Sequence, residues 1–335
     1  MKIILITPAG PTARTGNRVA AERWAGILRK LGHAVRVETD YADAPADLMI
    51  AIHAWRSAGP IERFKSRYLG ARPVIIQLSG TDIYDYITSD PGPTKRSLAL
   101  ADRLVAINSL AWKKVPREFR SKIRLIYQSA ARPKAPWKPD GQAIIVSVIG
   151  HLRDVKDPLR TAAAARLLPA SSRVRVVQAG RAYSPDWAER ARQEMADNPR
   201  YRWRDDLPRA GVQKLLRRSH TMVISSLSEG GANVVSEAVA AGVPILASRM
   251  DGNVGLLGPD YPGYFRVGDT AGLARLIRRI EADPAFVDRL RRAIARRLPL
   301  FAPAREFQAW KQLLAEFRPP RGSARRRHRS AKRTR

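Results

Sequence analysis

Two glutamates stand eight positions apart beside a glycine-rich turn in the second half of the sequence. The stretch from 225 to 244 reads SSLSEGGANVVSEAVAAGVP, which places the acids at Glu229 and Glu237. A buried strand is expected to end near Ser225, and a helix to begin at Ala232 or Asn233. The free N–H groups and positive dipole end of a helix bind anions, and small residues let a phosphate approach the backbone. The pattern therefore predicts a diphosphate site, whose two carboxylates accept hydrogen bonds from neighbouring hydroxyls, one on a sugar and one on a ribose.

A second group of polar residues, GHLRDVKDP at 150–158, again closes a predicted strand and opens a predicted helix. Lys156, helped by Arg153, can neutralise the β-phosphate of a leaving diphosphate as that phosphate gains charge during bond breaking. No Asp-x-Asp pair occurs in the sequence. Lysine, arginine and backbone amides are therefore expected to hold the diphosphate, and we predict neither a metal ion nor another cofactor.

A third loop, DGNV at 251–254, follows a strand predicted to end near Ser248. It is expected to face the same cleft, where the Asn253 side-chain amide would bind hydroxyls of the donor sugar. Asp-Gly-Asn is also a common turn sequence, so a purely structural role stays open.

Polar residues follow the predicted strands of the first half as well. His53 ends an apolar strand, where it can donate to an acceptor phosphate, help to desolvate the attack, or simply belong to the core. Thr81 and Asp82 follow the strand Val74–Leu78, and Asp82 can orient a cation, act as a base or cap a helix. Further polar residues at predicted strand-to-helix junctions would converge on a cleft and attract an anionic acceptor: Arg14, Asn17, Arg18 and Arg56.

Short apolar runs alternate with amphipathic stretches along nearly the whole chain. The clearest helix, Arg18–Leu31, ends before Gly32, the residue favoured just past a helix C-terminus. Such alternation predicts parallel sheets covered by helices on both faces. The expected fold class is α/β, with two doubly wound, Rossmann-like domains whose sheets face a cleft. The predicted strands are Ile3–Thr7, Ala34–Glu38, Leu48–His53, Val74–Leu78, Leu104–Asn108, Ile123–Ile126, Ile144–Ile149, Val174–Gly180, Thr221–Ser225 and Pro244–Ser248.

A proline-rich stretch, 129–141, interrupts this alternation and is the predicted linker. It separates an N-terminal domain (1–128), expected to bind the acceptor, from a second domain (142–298), expected to bind the donor. A C-terminal helix (299–317) is expected to cross back over the linker, and a basic tail (318–335) follows it.

The chain of 335 residues has 61 Lys and Arg, 30 Asp and Glu and no cysteine, which gives a net charge of +31. Nine basic residues and no acidic residue lie in the tail. Residues 1–317 therefore have 52 basic and 30 acidic residues and a net charge of +22. Self-repulsion is expected to keep the tail disordered, with weak binding to anionic surfaces. The basic body suits polyanionic small molecules. No apolar run approaches the roughly 20 residues of a membrane-spanning helix, and we expect a cytoplasmic protein without a transmembrane segment.

These motifs resemble those of the nucleotide-sugar glycosyltransferases of GT-B fold and family-4 type, over nearly the whole chain apart from the tail. Glu229 and Glu237 match that family's paired glutamates, and residues 150–156 match its Gly-Arg-Leu…Lys segment. The loop at 10–17 matches the position of a glycine loop that approaches the diphosphate from the opposite domain. The resemblance implies that Glu229 faces the donor sugar and that Glu237 faces the ribose.

One position departs from that family's pattern. His151 stands where an arginine is usual, so that either His151 or Arg153 would contact the diphosphate. The expected catalytic residues are Lys156, Glu229 and His53. The residues expected to bind the donor are Gly16, Asn17, His151, Arg153, Lys156, Glu229, Gly230, Gly231, Ala232, Asn233, Glu237 and Asn253. The residues expected to bind the acceptor are Arg14, Asn17, Arg18, His53, Arg56, Thr81 and Asp82.

A narrower resemblance is to the selenosugar synthases of selenoneine biosynthesis. It implies transfer of selenium from selenophosphate to the anomeric carbon of a UDP-N-acetylhexosamine such as UDP-GlcNAc, with release of UDP and phosphate. Selenophosphate is already an anionic, strong nucleophile, and it needs cations more than it needs a base. Trp55 stands where a second arginine is expected of that family. The segments that carry the resemblance lie at 8–19, 52–58, 79–84, 150–158 and 250–264.

Two other functions stay open at this point. A family-4 transferase with a hydroxyl acceptor, on a glycan or a lipid, would benefit from a general base and could use the basic tail at a membrane surface. A nucleic-acid-binding protein would explain the charge but would give the paired glutamates no role. Nucleic acid is therefore not expected as an obligatory partner.

Overall fold

A computed structural model of the protein describes residues 1–13, 15–139 and 141–317. The acceptor role predicted for Arg14 and the surface binding predicted for the tail at 318–335 both concern residues outside these ranges. Within them, two parallel sheets of six strands each are flanked by helices. The α/β class with two doubly wound domains is thereby confirmed.

The first sheet is built from short apolar runs. Its strands are β1 (Lys2–Ile6), β2 (Ala34–Glu38), β3 (Leu48–Ile52), β4 (Val74–Leu78), β5 (Arg103–Ala106) and β6 (Ile123–Leu125). The order β2-β1-β3-β4-β5-β6 reverses direction at β1, so a crevice opens between the carboxyl ends of β1 and β3. Every residue of β3 and β4 is buried, because helices cover both faces of the sheet.

In the first domain, one helix follows β1, one follows β3 and two follow β4. They are α1 (Gly16–Lys30), α2 (Ala58–Arg67), α3 (Ile87–Ser89) and α4 (Pro91–Leu100), with one turn of π-helix at Asp82–Tyr86. α1 begins two residues before its predicted start. Its buried stripe packs on the sheet through Ala20, Ala21, Trp24, Ala25 and Leu28.

The second sheet repeats the plan, in the order β12-β11-β10-β7-β8-β9. The strands that carry these labels are β7 (Ile144–Ile149), β8 (Val174–Ala179), β9 (Tyr201–Trp203), β10 (Thr221–Ile224), β11 (Ile245–Ser248) and β12 (Tyr264–Phe265). The two edge strands, β9 and β12, have three and two residues and were not predicted. The helices are α5 (Arg160–Arg166), α6 (Pro185–Asp197), α7 (Arg209–Arg218), α8 (Asn233–Ala241), α9 (Asp251–Leu257), α10 (Thr270–Ala282) and α11 (Pro284–Arg297).

The segment after β7 differs from its prediction. The expected helix does not begin near Lys156; a short 3₁₀ turn spans Asp154–Lys156 instead. Asp157 follows in the left-handed conformation with φ of 44°, and α5 begins only at Arg160. Lys156 therefore lies in the loop before the helix, at the carboxyl end of the sheet.

The last helix, α12 (Pro303–Ala315), leaves the second domain and packs on the first. Trp310 is fully buried there, and its ring meets that of Trp24 edge-on with centroids 4.6 Å apart. The predicted crossing back of the C-terminal helix is thus observed. None of the helices in the described part of the chain has the length and apolar character required to cross a bilayer.

Candidate active site

The turn before α8 gives the second domain an open helix N-terminus. β10 ends at Ile224, and α8 begins at Asn233 after Ala232, which offers no side-chain cap. The first turn of α8 contains no acidic residue. Its first backbone N–H groups therefore lack a side-chain acceptor, which is the arrangement that binds an anion.

The N-terminus of α1 lies opposite that of α8, across the boundary between the domains. The side-chain amide of Asn233 donates to the carbonyl of Gly16 over 3.5 Å. α1 has neither a side-chain cap nor an acid in its first turn, where Asn17 is half-buried. Two positive helix ends thus converge on one region, and this favours a ligand with two negative groups, such as a diphosphate.

Lys156 and Glu229, predicted from separate motifs, are in direct contact. The Lys156 ammonium forms an ion pair with Glu229 Oε1, which also accepts a hydrogen bond of 2.7 Å from the Ser226 hydroxyl. The backbone N–H of Leu227 donates to the carbonyl of Val155 over 2.9 Å and ties the two loops together. Because the side chains are only 22% and 9% exposed, the cation and the carboxylate lie together in one partly desolvated region.

Glu237 lies on α8, one turn after Asn233. Burial raises the pKa of its carboxyl group, while the charges of Arg209 and Arg23 oppose that rise. No hydrogen bond to this carboxylate is found within residues 1–13, 15–139 and 141–317. Glu237 therefore keeps both oxygens available beside the helix end, as the binding of a ribose hydroxyl requires.

The loop after β7 faces the first domain. His151 and Arg153 are both half-buried, and the Arg153 guanidinium lies 6.0 Å from the ring of Tyr183. Partial desolvation and the neighbouring Asp82 raise the pKa of Asp85 in the first domain, although its side chain is largely exposed, and the charge of Arg153 lowers it. Both His151 and Arg153 remain candidates for a diphosphate contact.

The two glycines of the turn are required by the approach of the domains. A Cβ atom on Gly230 would overlap the backbone carbonyl of Ser79, and one on Gly80 would overlap the Gly230 backbone. Gly231 has φ of +154°, and a Cβ atom there would lie 2.9 Å from the Ile107 side chain. The small residues that predicted phosphate access thus also allow this interdomain contact.

His53 is buried at the carboxyl end of β3, and its tautomer follows from its contacts. The Arg56 backbone N–H donates to Nδ1 over 3.2 Å, so the proton of the neutral ring is on Nε2. Nε2 lies 2.9 Å from Thr81 Oγ1 and donates to it. Burial lowers the pKa of His53, more than nearby Asp82 raises it, and the ring stays neutral. His53 therefore orients the Thr81 hydroxyl, which can in turn donate towards an acceptor.

The acceptor role predicted for Asp82 is wrong. Its side chain is fully buried, and its oxygens accept backbone N–H groups of four residues. The carboxylate organises the loops after β3 and β4 and has no exposed oxygen with which to contact substrate. The donors are Ala54 (2.9 Å), Ser79 (3.0 Å), Gly80 (2.7 Å) and Ile83 (3.1 Å).

The donor-sugar contact predicted for Asn253 is also wrong. Asn253 is fully buried within α9, and its amide donates to the carbonyl of Ser248 over 2.9 Å. The predicted loop or turn at 251–254 is not observed either, because these residues form the start of α9. α9 nevertheless supports the site, because Gly252 packs so tightly on the Glu229 backbone that a Cβ atom would overlap its carbonyl.

The predicted arginines differ in their surroundings. Arg18 Nε donates to Glu22 over 2.8 Å on its own helix, and its role in acceptor binding stays a prediction. Arg56 is exposed beside His53, whose pKa its charge lowers. Among the residues of the described ranges, no group of three or more His, Asp or Glu side chains is placed to hold a metal ion. Lys156 and the two helix ends also contribute positive charge at the site.

Several residues of the site were not predicted. Ser226 belongs to the paired-glutamate stretch, and Asn108 follows β5, so polar residues at strand ends would have indicated both. Asn108 is buried and its amide donates to the carbonyl of Gly230 over 2.6 Å. Asp85 stands exposed in the π-helical turn, and Arg23 lies in the middle of α1, where the sequence gives no signal.

Two facing sheets, a cleft at their carboxyl ends and a C-terminal helix that crosses back define the GT-B class of glycosyltransferase. Residues 130–297 match the model of the family "Glycosyl transferases group 1", and the chain belongs to that family. The sequence matches none of the curated proteins with which it was compared.

Solved structures share this fold across nearly the whole chain. Anabaena HepE, crystallised with UDP, is 16% identical with a TM-score of 0.74, over 94% of this chain and 100% of that one. Sucrose-phosphate synthase from Thermosynechococcus elongatus is 17% identical with a TM-score of 0.77, over 95% and 99%. Staphylococcus aureus TarM, a G117R mutant crystallised with UDP, is 14% identical with a TM-score of 0.62, over 89% and 59%.

Proposed function

We propose that the protein transfers an N-acetylhexosamine from a UDP donor, with UDP-GlcNAc as the expected substrate, to selenophosphate. Selenium attacks the anomeric carbon as the bond from that carbon to the diphosphate oxygen breaks, and UDP leaves. Water then cleaves the selenium–phosphorus bond, which releases phosphate and leaves the selenosugar. The charge on the diphosphate is balanced by the protein, without a metal ion.

The donor half of this proposal is supported by the paired helix ends. Gly16 and Asn233 bring the N-termini of α1 and α8 to one point, with Glu237 available beside it. HepE, of the same fold, was crystallised with UDP and with UDP-glucose. In this chain, the diphosphate would lie between the helix ends and the ribose against Glu237.

The acceptor half rests on one observation: Asp82, predicted as a possible base, and His53, predicted as a possible donor to the acceptor, are both already engaged. Asp82 is saturated by backbone N–H groups, and His53 accepts at Nδ1 and carries its proton on Nε2. A hydroxyl acceptor would need a base to take its proton. A selenium nucleophile that is already anionic needs only donors and positive charge, which Thr81 and Arg56 can supply.

The proposed catalytic roles of Lys156 and Glu229 follow from the ion pair that joins them. Glu229 would accept a hydrogen bond from the donor sugar and so fix the anomeric carbon. Lys156 would turn towards the departing β-phosphate, where its charge stabilises the transition state more than the ground state. Domain closure would exclude water from the reacting carbon.

The test is an assay by mass spectrometry in which the purified protein receives several nucleotide sugars together with selenophosphate, thiophosphate or phosphate. We expect UDP release and a selenosugar with selenophosphate, slower UDP release with thiophosphate, and no turnover with phosphate. Absence of selenium-dependent turnover in a protein that binds UDP would contradict the acceptor assignment.

A hydroxyl acceptor is the second candidate, and Asp85 is the observation that favours it. This carboxylate is exposed in the first domain within the electrostatic reach of Arg153, and its raised pKa suits a base. Under this alternative, Asp85→Asn would abolish turnover with a sugar or lipid acceptor. Under the selenophosphate proposal, the same variant would retain most of its activity.

A further inference from the structure

Side chains of the first domain form hydrogen bonds with the turn at 229–233 of the second domain, near both ends of that turn. At one end, the Asn108 amide donates to the Gly230 carbonyl over 2.6 Å. At the other end, the guanidinium of Arg23 donates through Nη1 to Asn233 Oδ1 over 3.2 Å. The turn that precedes α8 is therefore held in place by side chains of the first domain.

Arg23 is itself fixed by a buried acid. Its Nε donates to Glu306 Oε1 over 3.3 Å, and the Glu306 side chain is 0% exposed. Glu306 also accepts from the Trp24 indole N–H over 2.7 Å and from the Ser129 backbone N–H over 3.0 Å. A buried carboxylate is tolerated only when it is paired and hydrogen-bonded in this way. Glu306 thus connects α12, the start of the linker and α1, and Arg23 extends that connection to α8.

The third nitrogen of Arg23 has no partner within residues 1–13, 15–139 and 141–317. Nη2 is buried, and no hydrogen-bond acceptor for it lies among the residues that the structure describes. Its charge acts on Glu237, one turn along α8. A buried donor without a partner costs free energy, which a ligand oxygen or a shift of the Glu237 carboxylate would recover.

We propose that Arg23 is a positioning residue that couples domain closure to nucleotide binding. It fixes Asn233 at the start of α8 and places a positive charge beside Glu237. The inference rests on the proposed binding of a UDP donor at α8, and it adds a residue of the first domain to that site.

A pH effect follows from this arrangement. The charged side chains of the described residues that act on Glu237 are Arg209, at the start of α7, and Arg23. Burial raises the pKa of Glu237 and both arginines lower it, so removal of Arg23 raises that pKa further. If the carboxylate form binds the ribose hydroxyl, UDP affinity falls as the pH drops through this pKa. Without Arg23, the fall begins at a higher pH.

The experiment is a calorimetric titration of the full-length protein with UDP from about pH 4 to about pH 8, a range that starts at the ordinary pKa of a glutamate and extends above it. Arg23→Met should weaken UDP binding about tenfold at the upper end, the loss expected for one hydrogen bond of a charged group, and should move the acidic fall to higher pH. Arg23→Lys keeps the charge but cannot reach both Glu306 and Asn233. It should bind more weakly while keeping the wild-type pH profile.

Two further variants complete the comparison. Lys30→Met removes an exposed charge from the last turn of α1 and should bind UDP like the wild type. Glu237→Gln should lose the acidic fall altogether. If Arg23→Met does not fold, the test uses Arg23→Lys alone. The expected result is then weaker UDP binding with an unchanged dependence of affinity on pH.

The outcomes separate this inference from the donor assignment. If the wild type binds UDP and both Arg23 variants match it in affinity and pH profile, the role of Arg23 is overturned and the donor site stands. If the wild type binds no UDP at any pH, the donor assignment fails, and the inference about Arg23 fails with it.

Discussion

Lys156 and Glu229 form an ion pair although 73 positions separate them in the chain. They meet because β7 and β10 are neighbouring parallel strands, so the loops after both strands leave the same edge of the sheet. The pairing places the group assigned to the leaving phosphate against the group assigned to the donor sugar. Substitution of either residue therefore tests a different half of one proposed catalytic step.

Lys156→Ala should depress the chemical step far more than donor binding. A charge that acts mainly on the transition state contributes to kcat, and we expect kcat to fall about 10²-fold or more. The measurement compares single-turnover rates with the Kd of UDP. Equal losses in rate and in affinity would contradict a leaving-group role.

Glu229→Gln should lose both rate and discrimination between donor sugars while UDP affinity changes little. Loss of a hydrogen bond to a charged acceptor predicts a drop of about 10-fold to 100-fold in kcat/KM. Competing UDP-sugars that differ in one hydroxyl provide the readout. Glu189→Gln, which removes one partner of an exposed ion pair with Arg192, is the control and should leave kcat/KM and donor selectivity unchanged. A Glu229→Gln enzyme with wild-type selectivity would exclude this residue from sugar recognition.

Gly230→Ala should hold the domains apart, because its methyl group would overlap the carbonyl of Ser79. Displacement of the turn by about 1 Å is expected to lower kcat/KM about 10²-fold, with little effect on the melting temperature of either domain. Gly26→Ala is the matched control, since nothing lies within 4 Å of a Cβ atom there. Full activity of Gly230→Ala would show that the interdomain contact is unnecessary for turnover.

Asp82→Asn should destabilise the fold without altering the chemistry of the site directly. The amide group would present N–H donors to backbone N–H groups, at a cost of about 3 kcal/mol in the free energy of unfolding. Denaturant unfolding measures this loss. Asp43→Asn at an exposed ion pair should stay within about 0.5 kcal/mol of the wild type. Unchanged stability of Asp82→Asn would refute the structural role and reopen a catalytic one.

The sequence was most informative where the chain alternates between buried strands and amphipathic helices. That alternation predicts parallel sheets, and it places Lys156 and Glu229 at one edge before any contact is known. It could not tell a polar residue that faces the cleft from one that is buried by its own loop. Asp82 and Asn253 follow strands as His53 does. The Asp82 carboxylate, however, is bound by backbone N–H groups, and the Asn253 amide is bound to the carbonyl of Ser248.

Contacts between the two domains could not be predicted from the sequence, for a related reason. The glycines at 80 and 230 indicate that another group approaches the backbone closely. Only the structure shows that the two glycines approach each other across the domain boundary. Arg23 occupies an ordinary position in an amphipathic helix. Its significance comes from Glu306 and Asn233, which are 283 and 210 positions away.

A crystal structure with bound UDP tests the central claim most directly. We expect the diphosphate between the first turns of α8 and α1, the ribose hydroxyls on Glu237, and Lys156 within reach of the β-phosphate. UDP bound elsewhere on the molecule, or Glu229 and Glu237 directed into solvent with UDP present, would contradict the assignment of this cleft as the donor site.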